Sequence, residues 1–248
     1  MRPVRWLLLR GLAREKRHWG AFPARFQAAL GAPVTCLDLA GMGTEAQVEV
    51  PTSIAGITDH LRARWLDTGE GPAGIFAVSL GGMILMDWCT RYPGDFARAV
   101  LVCSSAGNLS PFHHRLRPVH LPTVASAIVD GDATRRERKI LSMVTNLQGD
   151  LDGLARTWGG YADEVRPRRA AFVRQLYAAS RFRAPASLPL PTLALGTRGD
   201  RFVDPRCTER LAAHFGLPVR WHDTAGHDLP ADAPEWVIEQ VSAWVAAG

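Results

Sequence analysis

Ile75-Phe76-Ala77-Val78-Ser79-Leu80-Gly81-Gly82-Met83 is the stretch on which the fold turns. An apolar strand pattern runs into a serine and then directly into a helical pattern that stops against Pro93. A strand–serine–helix turn this sharp needs small residues two before and two after the serine, and Ala77 and Gly81 stand there. The turn lifts the hydroxyl above the sheet and aims it at a helix N-terminus, where free N–H groups hold an anion. The pattern is G-x-S-x-G with alanine for the first glycine. The competing reading of Ser79 is a plain helix cap.

Working outward, Val4–Arg10, Pro33–Leu39, Ala73–Ser79, Arg98–Ser105, Pro191–Thr197 and Val219–Ala225 read as strands. Their hydrophobicity is nearly continuous, as in strands covered on both faces. Helical patterns alternate with them, at Trp19–Leu30, Ser53–Leu66, Leu80–Tyr92 and Arg206–Phe215. A last helix starts from Asp232, with Glu235 as a capping-box partner, and buries Trp236, Val237, Val241, Trp244 and Val245. This rhythm implies an α/β fold with a mostly parallel sheet of about six strands. It breaks between residues 108 and 186, where Thr134–Leu147, Leu151–Val165 and Arg168–Arg181 read as helices. Ile140, Leu141, Val144 and Leu147 share one face there. The expected organisation is a core from 1–107 and 187–248 carrying a helical cap at 108–186.

A serine nucleophile needs a base, and the base needs an orienting acid. Asp200 and His227 each follow a strand, in Gly196-Thr197-Arg198-Gly199-Asp200 and Thr224-Ala225-Gly226-His227. Carboxyl ends of parallel strands are where ligands bind in open sheets. His18, His60 and His214 fall in helical patterns, and His113, His114, His120 and His222 lack a Gly-His turn. Asp204 and Asp228 are the rival acids, and a surface-loop histidine is the bland reading of His227. An oxyanion hole completes such a site. Its donors are expected to be the backbone N–H groups of Leu80 and of Leu12, with Gly11 allowing close approach.

The 248 residues carry a net charge of +5, with 47% hydrophobic and 21% charged residues. That composition excludes disordered, collagen-like and disulfide-miniprotein classes, and no apolar run reaches the ~18 residues of a membrane span. The N-terminal apolar stretch is too short for a signal-peptide core. Cys36, Cys89, Cys103 and Cys207 are far apart without metal-like spacing, which implies reduced thiols and a cytoplasmic location. Residues 108–186 hold 13 basic and 7 acidic residues, so the positive excess sits in the expected cap. No aromatic-plus-basic motif accompanies it, which argues against a nucleic-acid partner. Of the 29 basic residues 27 are arginine, so genomic base composition is a sufficient source of the charge.

These motifs resemble the α/β-hydrolase superfamily in the expected order: Arg10-Gly11-Leu12 after the first strand, DLAGMG at 38–43, AVSLGGM at 77–83, GTRGDRFV at 196–203 and AGHDLPADAPEW at 225–236. Size and insertion are similar to small bacterial carboxylesterases of the pimeloyl–acyl-carrier-protein methyl ester esterase type. The resemblance implies a Ser79–His227–Asp200 triad acting through an acyl-enzyme, a substrate-selecting cap, and no cofactor or metal. It also implies a small-molecule ester as substrate. Serine at the elbow argues against a dehalogenase, which carries aspartate there. The family's His-Gly in the oxyanion loop is Arg10-Gly11 here, and the usual hairpin ahead of that loop is missing. Arg10, Gly11, Phe112, Met143 and Trp158 are the candidate substrate contacts, although the apolar cap positions also suit a cap core. The same triad also serves thioesters, lactones, amides and carbon–carbon bonds. A non-catalytic alternative is binding of an anionic ligand or an acidic carrier protein through Arg115, Arg117, Arg135, Arg136, Arg138 and Lys139.

Overall fold

The computed structural model describes residues 5–69 and 71–247. Residues 1–4, which include Val4 and the start of the stretch read against a signal peptide, lie outside the described residues. The core is a six-stranded sheet in the order β2-β1-β3-β4-β5-β6, built from β1 (Arg5–Leu9), β2 (Val34–Cys36), β3 (Ala73–Val78), β4 (Arg98–Val102), β5 (Thr192–Thr197) and β6 (Val219–His222). Every pairing is parallel. The strands at Val34, Arg98 and Val219 are shorter than the apolar runs suggest, because those runs continue into loops beyond the last ladder bond.

The helices are α1 (Phe22–Leu30), α2 (Ile54–Leu66), α3 (Leu80–Arg91), α4 (Phe112–Arg115), α5 (Leu121–Val129), α6 (Ala133–Val144), α7 (Leu151–Val165), α8 (Arg169–Arg181), α9 (Arg206–Phe215), α10 (Leu229–Asp232) and α11 (Pro234–Ala247). Successive strand residues face opposite sides of a sheet, and the core divides accordingly. Leu7, Leu9, Ile75, Ala77 and Leu101 pack with residues of α2 and α3. Trp6, Leu8, Phe76, Val78 and Val102 pack with residues of α1 and α11. The Trp6 ring occupies the space a side chain at position 74 would need: a Cβ on Gly74 would sit 2.6 Å from it. The covering of both faces explains why β3 and β4 lack polar alternation and are buried along their whole length.

The strand order places the site. The chain runs from β1 outward to β2, then crosses back to β3 on the other side of β1. At that reversal the connections leave in opposite directions and open a crevice beyond the carboxyl ends of β1 and β3. Gly11 and Ser79 stand there.

Helices α4 to α8 lie between β4 and β5, forming the helical insertion. Three details depart from the sequence reading. Helix α5 was not expected: it is short and mostly apolar, and Leu121 and Val129 remain exposed. Helix α6 ends at Val144, so Leu147 leaves its apolar face and is 47% exposed. The last helix begins at Pro234, not from Asp232. The Asp232 carboxylate instead accepts the Gly226 and Asn146 N–H groups, at 2.7 and 2.6 Å. Trp236 and Trp244 are half-buried. Among the described residues, no helix is long and apolar enough to cross a membrane.

Candidate active site

Ser79 follows β3 directly and is held at φ 57°, ψ −114°. For a residue with a Cβ this is costly backbone, and its surroundings hold it there. Its N–H donates to the Val102 carbonyl at 2.9 Å, extending the ladder, and its carbonyl accepts the Gly82 N–H and the Ser104 hydroxyl. Gly81 leaves room for the crossing of two loops: a Cβ there would lie 2.8 Å from the Leu9 and Arg10 carbonyl oxygens. Although Ser79 occupies the cap position of α3, its side chain makes no capping bond.

The hydroxyl instead meets His227. His227 Nε2 lies 2.9 Å from Ser79 Oγ, and His227 Nδ1 lies 2.7 Å from Asp200 Oδ2. The other Asp200 oxygen accepts the N–H groups of Phe202 and Val203 at 3.0 and 2.9 Å. An ionised carboxylate on Nδ1 fixes the proton on that nitrogen and leaves the Nε2 lone pair for the serine. Burial pushes the His227 pKa down, but the Asp200 charge and hydrogen bond outweigh it, so the basicity ends above the usual imidazole value. None of the other histidines contacts Ser79. His60 faces Glu45, His120 the Arg201 carbonyl and His214 the Pro185 carbonyl. The rival acids are engaged elsewhere: Asp204 pairs with Arg206, and Asp228 with Arg10.

Gly11 brings the loop after β1 against Ser79, since a Cβ there would be 3.7 Å from Ser79 Oγ. Leu12 and Leu80 line the same cavity as Ser79. Among the described residues, no backbone acceptor takes either N–H. Arg10, the departure from the family pattern, lines that cavity too and is paired with the loop of His227. Its guanidinium binds both Asp228 oxygens, at 3.0 and 2.5 Å, and lies 4.6 Å over the Trp19 ring. Burial disfavours the Asp228 charge, but Arg10 keeps that carboxyl below its usual pKa.

A cavity of about 230 Å³ opens over Ser79 and His227. Leu12, Met83, Leu116, Ile140, Met143 and Phe172 give it apolar walls from core and insertion alike. Phe112 reaches it from a half-exposed position. Trp158 does not line it: the indole packs with Leu141 and Ala155 inside the insertion and stands 4.6 Å from the His18 ring. The expected basic face is largely consumed internally. Arg135 and Lys139 share Asp130, Arg138 takes Asp152, and Arg115 donates to the Ala179 and Ser180 carbonyls. Arg117 is 3.7 Å from Asp204, and of the six only Arg115 and Arg136 line the cavity, neither with a carboxylate partner among the described residues.

Sequence reasoning missed Asn146, just beyond α6. Its side-chain amide donates to the Gly199 and Thr224 carbonyls, both at 2.8 Å. One amide thus joins the turn that carries Asp200 to the turn that carries His227. Arg201 adds a bond to the Thr145 carbonyl at 2.9 Å, and the Asp228 N–H donates to the Val144 carbonyl at 2.8 Å. Asn146 is exposed and has no motif around it, so only proximity reveals it.

Cys103, Asp200 and His227 are near enough to one another to suggest a metal site. Their donor set does not suit one. Asp200 and His227 already bind each other, and burial, with the Asp200 charge, raises the Cys103 thiol well above its usual pKa. Metal ligation requires the thiolate. All four cysteines are free.

The geometry has parallels among known proteins. Residues 6–240 match the Alpha/beta hydrolase family. A serine hydrolase from Cycloclasticus zankles superposes with a TM-score of 0.78 at 16% identity, over 99% of this chain and 90% of its own. A meta-cleavage product hydrolase from Pseudomonas fluorescens gives 0.76 at 17%, over 100% and 92%. A thermophilic esterase from Thermogutta terrifontis gives 0.73 at 17%, over 99% and 90%. At such identities the likeness concerns the fold alone. No curated protein sequence matches the chain. The family match spans nearly the whole chain, and the chain belongs to the alpha/beta hydrolase family.

Proposed function

We propose that this hydrolase cleaves carboxylic esters, with Ser79 as nucleophile, His227 as general base and acid, and Asp200 as the residue that orients and charges the imidazole. The observation that carries the reading is the unbroken chain from Asp200 Oδ2 to His227 Nδ1 and from His227 Nε2 to Ser79 Oγ, at 2.7 and 2.9 Å. Ser79 Oγ attacks the ester carbonyl while its proton passes to His227 Nε2. The resulting imidazolium faces the Asp200 carboxylate. Negative charge on the former carbonyl oxygen falls to the N–H groups of Leu12 and Leu80, each worth roughly 3–4 kcal/mol in comparable sites. Collapse of that intermediate breaks the bond to the alkoxide, which leaves with the His227 proton. Water then attacks the acyl-serine, giving its own proton to His227, and a second collapse releases the acid and restores Ser79.

The mostly apolar cavity supports a small ester with an aliphatic or aromatic body as substrate. The test is labelling by a fluorophosphonate probe, comparing the wild type with Ser79→Ala. Labelling of the wild type only, together with release of p-nitrophenol from short acyl esters, is expected. An unlabelled wild-type protein overturns the serine-hydrolase reading. Labelling without turnover of any ester overturns the ester reading, and a panel of thioesters, lactones, amides and vinylogous diketones then identifies the bond cleaved.

A further inference from the structure

We infer that the cavity is built for a substrate with a negative charge at the end remote from the reacting carbonyl, bound by Arg136, Arg168 and Arg169. The inference deepens the ester reading and rests on Ser79 as the reacting group. Its ground is the charge that lines the cavity, six arginines against three carboxylates. Each carboxylate is taken by a guanidinium: Asp228 by Arg10, Glu137 by Arg14, and Glu15 by Arg17, which is itself outside the lining. Arg115, Arg136, Arg168 and Arg169 are left without a carboxylate partner among the described residues. Arg115 spends its N–H groups on the Ser105 hydroxyl and the Ala179 and Ser180 carbonyls. The other three are freer. Arg136 is half-buried and has one long contact, 3.4 Å, to the Asp130 carbonyl. Arg168 and Arg169 are exposed, and their guanidinium groups have no partner among the described residues. Neighbouring acids do not supply one. Glu164 takes Arg17, Glu45 takes Arg64, Glu49 takes Arg174, and Asp163 does not line the cavity.

The fold collects the three at one place. The first turn of α6 packs on α7, where a Cβ on Gly159 would lie 2.7 Å from Thr134 Oγ1. Helix α7 then continues along the cavity through Ala162 and Val165, and the turn beyond it carries Arg168 and Arg169 into α8. Two helices measure how far this place is from the chemistry. At the end of α6 the Val144 carbonyl accepts the Asp228 N–H, beside His227. Arg136 stands eight residues earlier, which at 1.5 Å per residue is about 12 Å. In α8 the Gln175 amide binds the Ala13 N–H and the Ala40 carbonyl, level with the loop after β1. Arg168 and Arg169 are six or seven residues earlier, about 9–10 Å away. Ile140, Met143, Phe172 and Leu176 give the space between apolar walls. Charges of one sign at the end of an apolar cleft attract an opposite charge strongly, because low-dielectric walls focus their field. An ester with an apolar body of that length and an anionic end meets both requirements.

The probes are two sets of esters, since the charged tail can lie on either side of the bond cleaved. One set is p-nitrophenyl esters of straight-chain acids of about four to twelve carbons, each ending in methyl, carboxylate or trimethylammonium. The other is acetates of straight-chain alcohols with the same lengths and ends. In at least one set, tails that span about 9–12 Å should favour the carboxylate over the methyl end about fivefold or more in kcat/KM. The trimethylammonium end should fall below the methyl end, and the shortest tails should show no preference. Arg136→Gln and the double variant Arg168→Gln/Arg169→Gln should each cut the preference about threefold or more, with turnover of the methyl-ended esters nearly unchanged. Arg138→Gln removes a charge from α6 outside the cavity and should leave the preference intact. A preference below about twofold at every length in both sets, or one unchanged in both cavity variants, overturns the inference. Calorimetry on Ser79→Ala with the same esters reads the preference without turnover. Tighter binding of the carboxylate-ended ester there, lost when the cavity arginines are replaced, supports the charge site even where the wild type hydrolyses no ester, an outcome that refutes the ester reading alone.

Discussion

Asp228→Asn tests the ion pair that replaces the family's usual oxyanion-loop histidine. Arg10 and Asp228 are 218 residues apart in sequence and join the loop after β1 to the loop of His227. Their side chains are 3% and 6% exposed. Breaking one partner of such a buried pair strands the other charge and costs about 3–5 kcal/mol. For a chain of this size each kcal/mol lowers Tm by about 2–4 °C, so a fall of roughly 6–20 °C is expected by calorimetry. Arg10→Met should fall similarly. The double variant Arg10→Met/Asp228→Leu, which removes both charges, should recover more than half of the loss. A kinetic consequence has a definite sign. Asp228 raises the His227 pKa and Arg10 lowers it. Asp228→Asn leaves the arginine charge in place, so the His227 pKa falls. A general base must be unprotonated, and the acid limb of kcat/KM against pH therefore moves to lower pH. Single variants that lose less than about 2 °C, or an acid limb that stays or moves upward, would refute the assignment.

Three further outcomes are expected. Asn146→Ala removes the amide shared by the Gly199 and Thr224 carbonyls; because Asn146 is exposed, water replaces part of it, and kcat should drop about three- to tenfold with KM nearly constant. Steady-state kinetics beside Asn146→Asp checks this, since aspartate cannot donate and should be no better than alanine; an unchanged kcat refutes it. Gly81→Ala drives a methyl against the Leu9 and Arg10 carbonyls and should cost about 1–3 kcal/mol in denaturant unfolding while slowing fluorophosphonate labelling. Burial pushes the Cys36 thiol up to about 12 and raises those of Cys89, Cys103 and Cys207; a thiol-titrating disulfide reagent at neutral pH should therefore react slowly with the native protein and rapidly with four thiols after unfolding.

The sheet and the hydrogen-bonded chain from Ser79 to Asp200 were legible in the amino-acid sequence because the responsible physics is local. The Ala77–Ser79–Gly81 turn is specified by which residues are small. The fully buried strands are specified by runs without polar alternation, and the sites of Asp200 and His227 by turns just beyond strands. The elements misread are those whose signal is weak or ambiguous. Helix α5 is a nine-residue, mostly apolar segment with Leu121 and Val129 exposed, too short for its pattern to separate it from other apolar runs. Asp232 reads as a cap from its spacing to Glu235, but its carboxylate finds better donors in Gly226 and Asn146.

Pairings between distant residues follow a different logic. The basic character of residues 108–186 is fixed by composition, yet whether those charges face a partner depends on Asp130, Asp152 and the Ala179 and Ser180 carbonyls meeting them. Arg10 reads only as a departure from a motif until the fold brings Asp228 to it. The sequence by itself determined the parallel sheet, the strand–Ser79–helix turn and the identities of the residues in the hydrogen-bonded Ser79–His227–Asp200 chain. Only tertiary structure decided which charges are spent and that Asn146 ties the Asp200 and His227 turns together. Secondary structure depends on neighbours a few residues away, whereas a buried hydrogen bond exists only between atoms about 3 Å apart, wherever the chain has carried them.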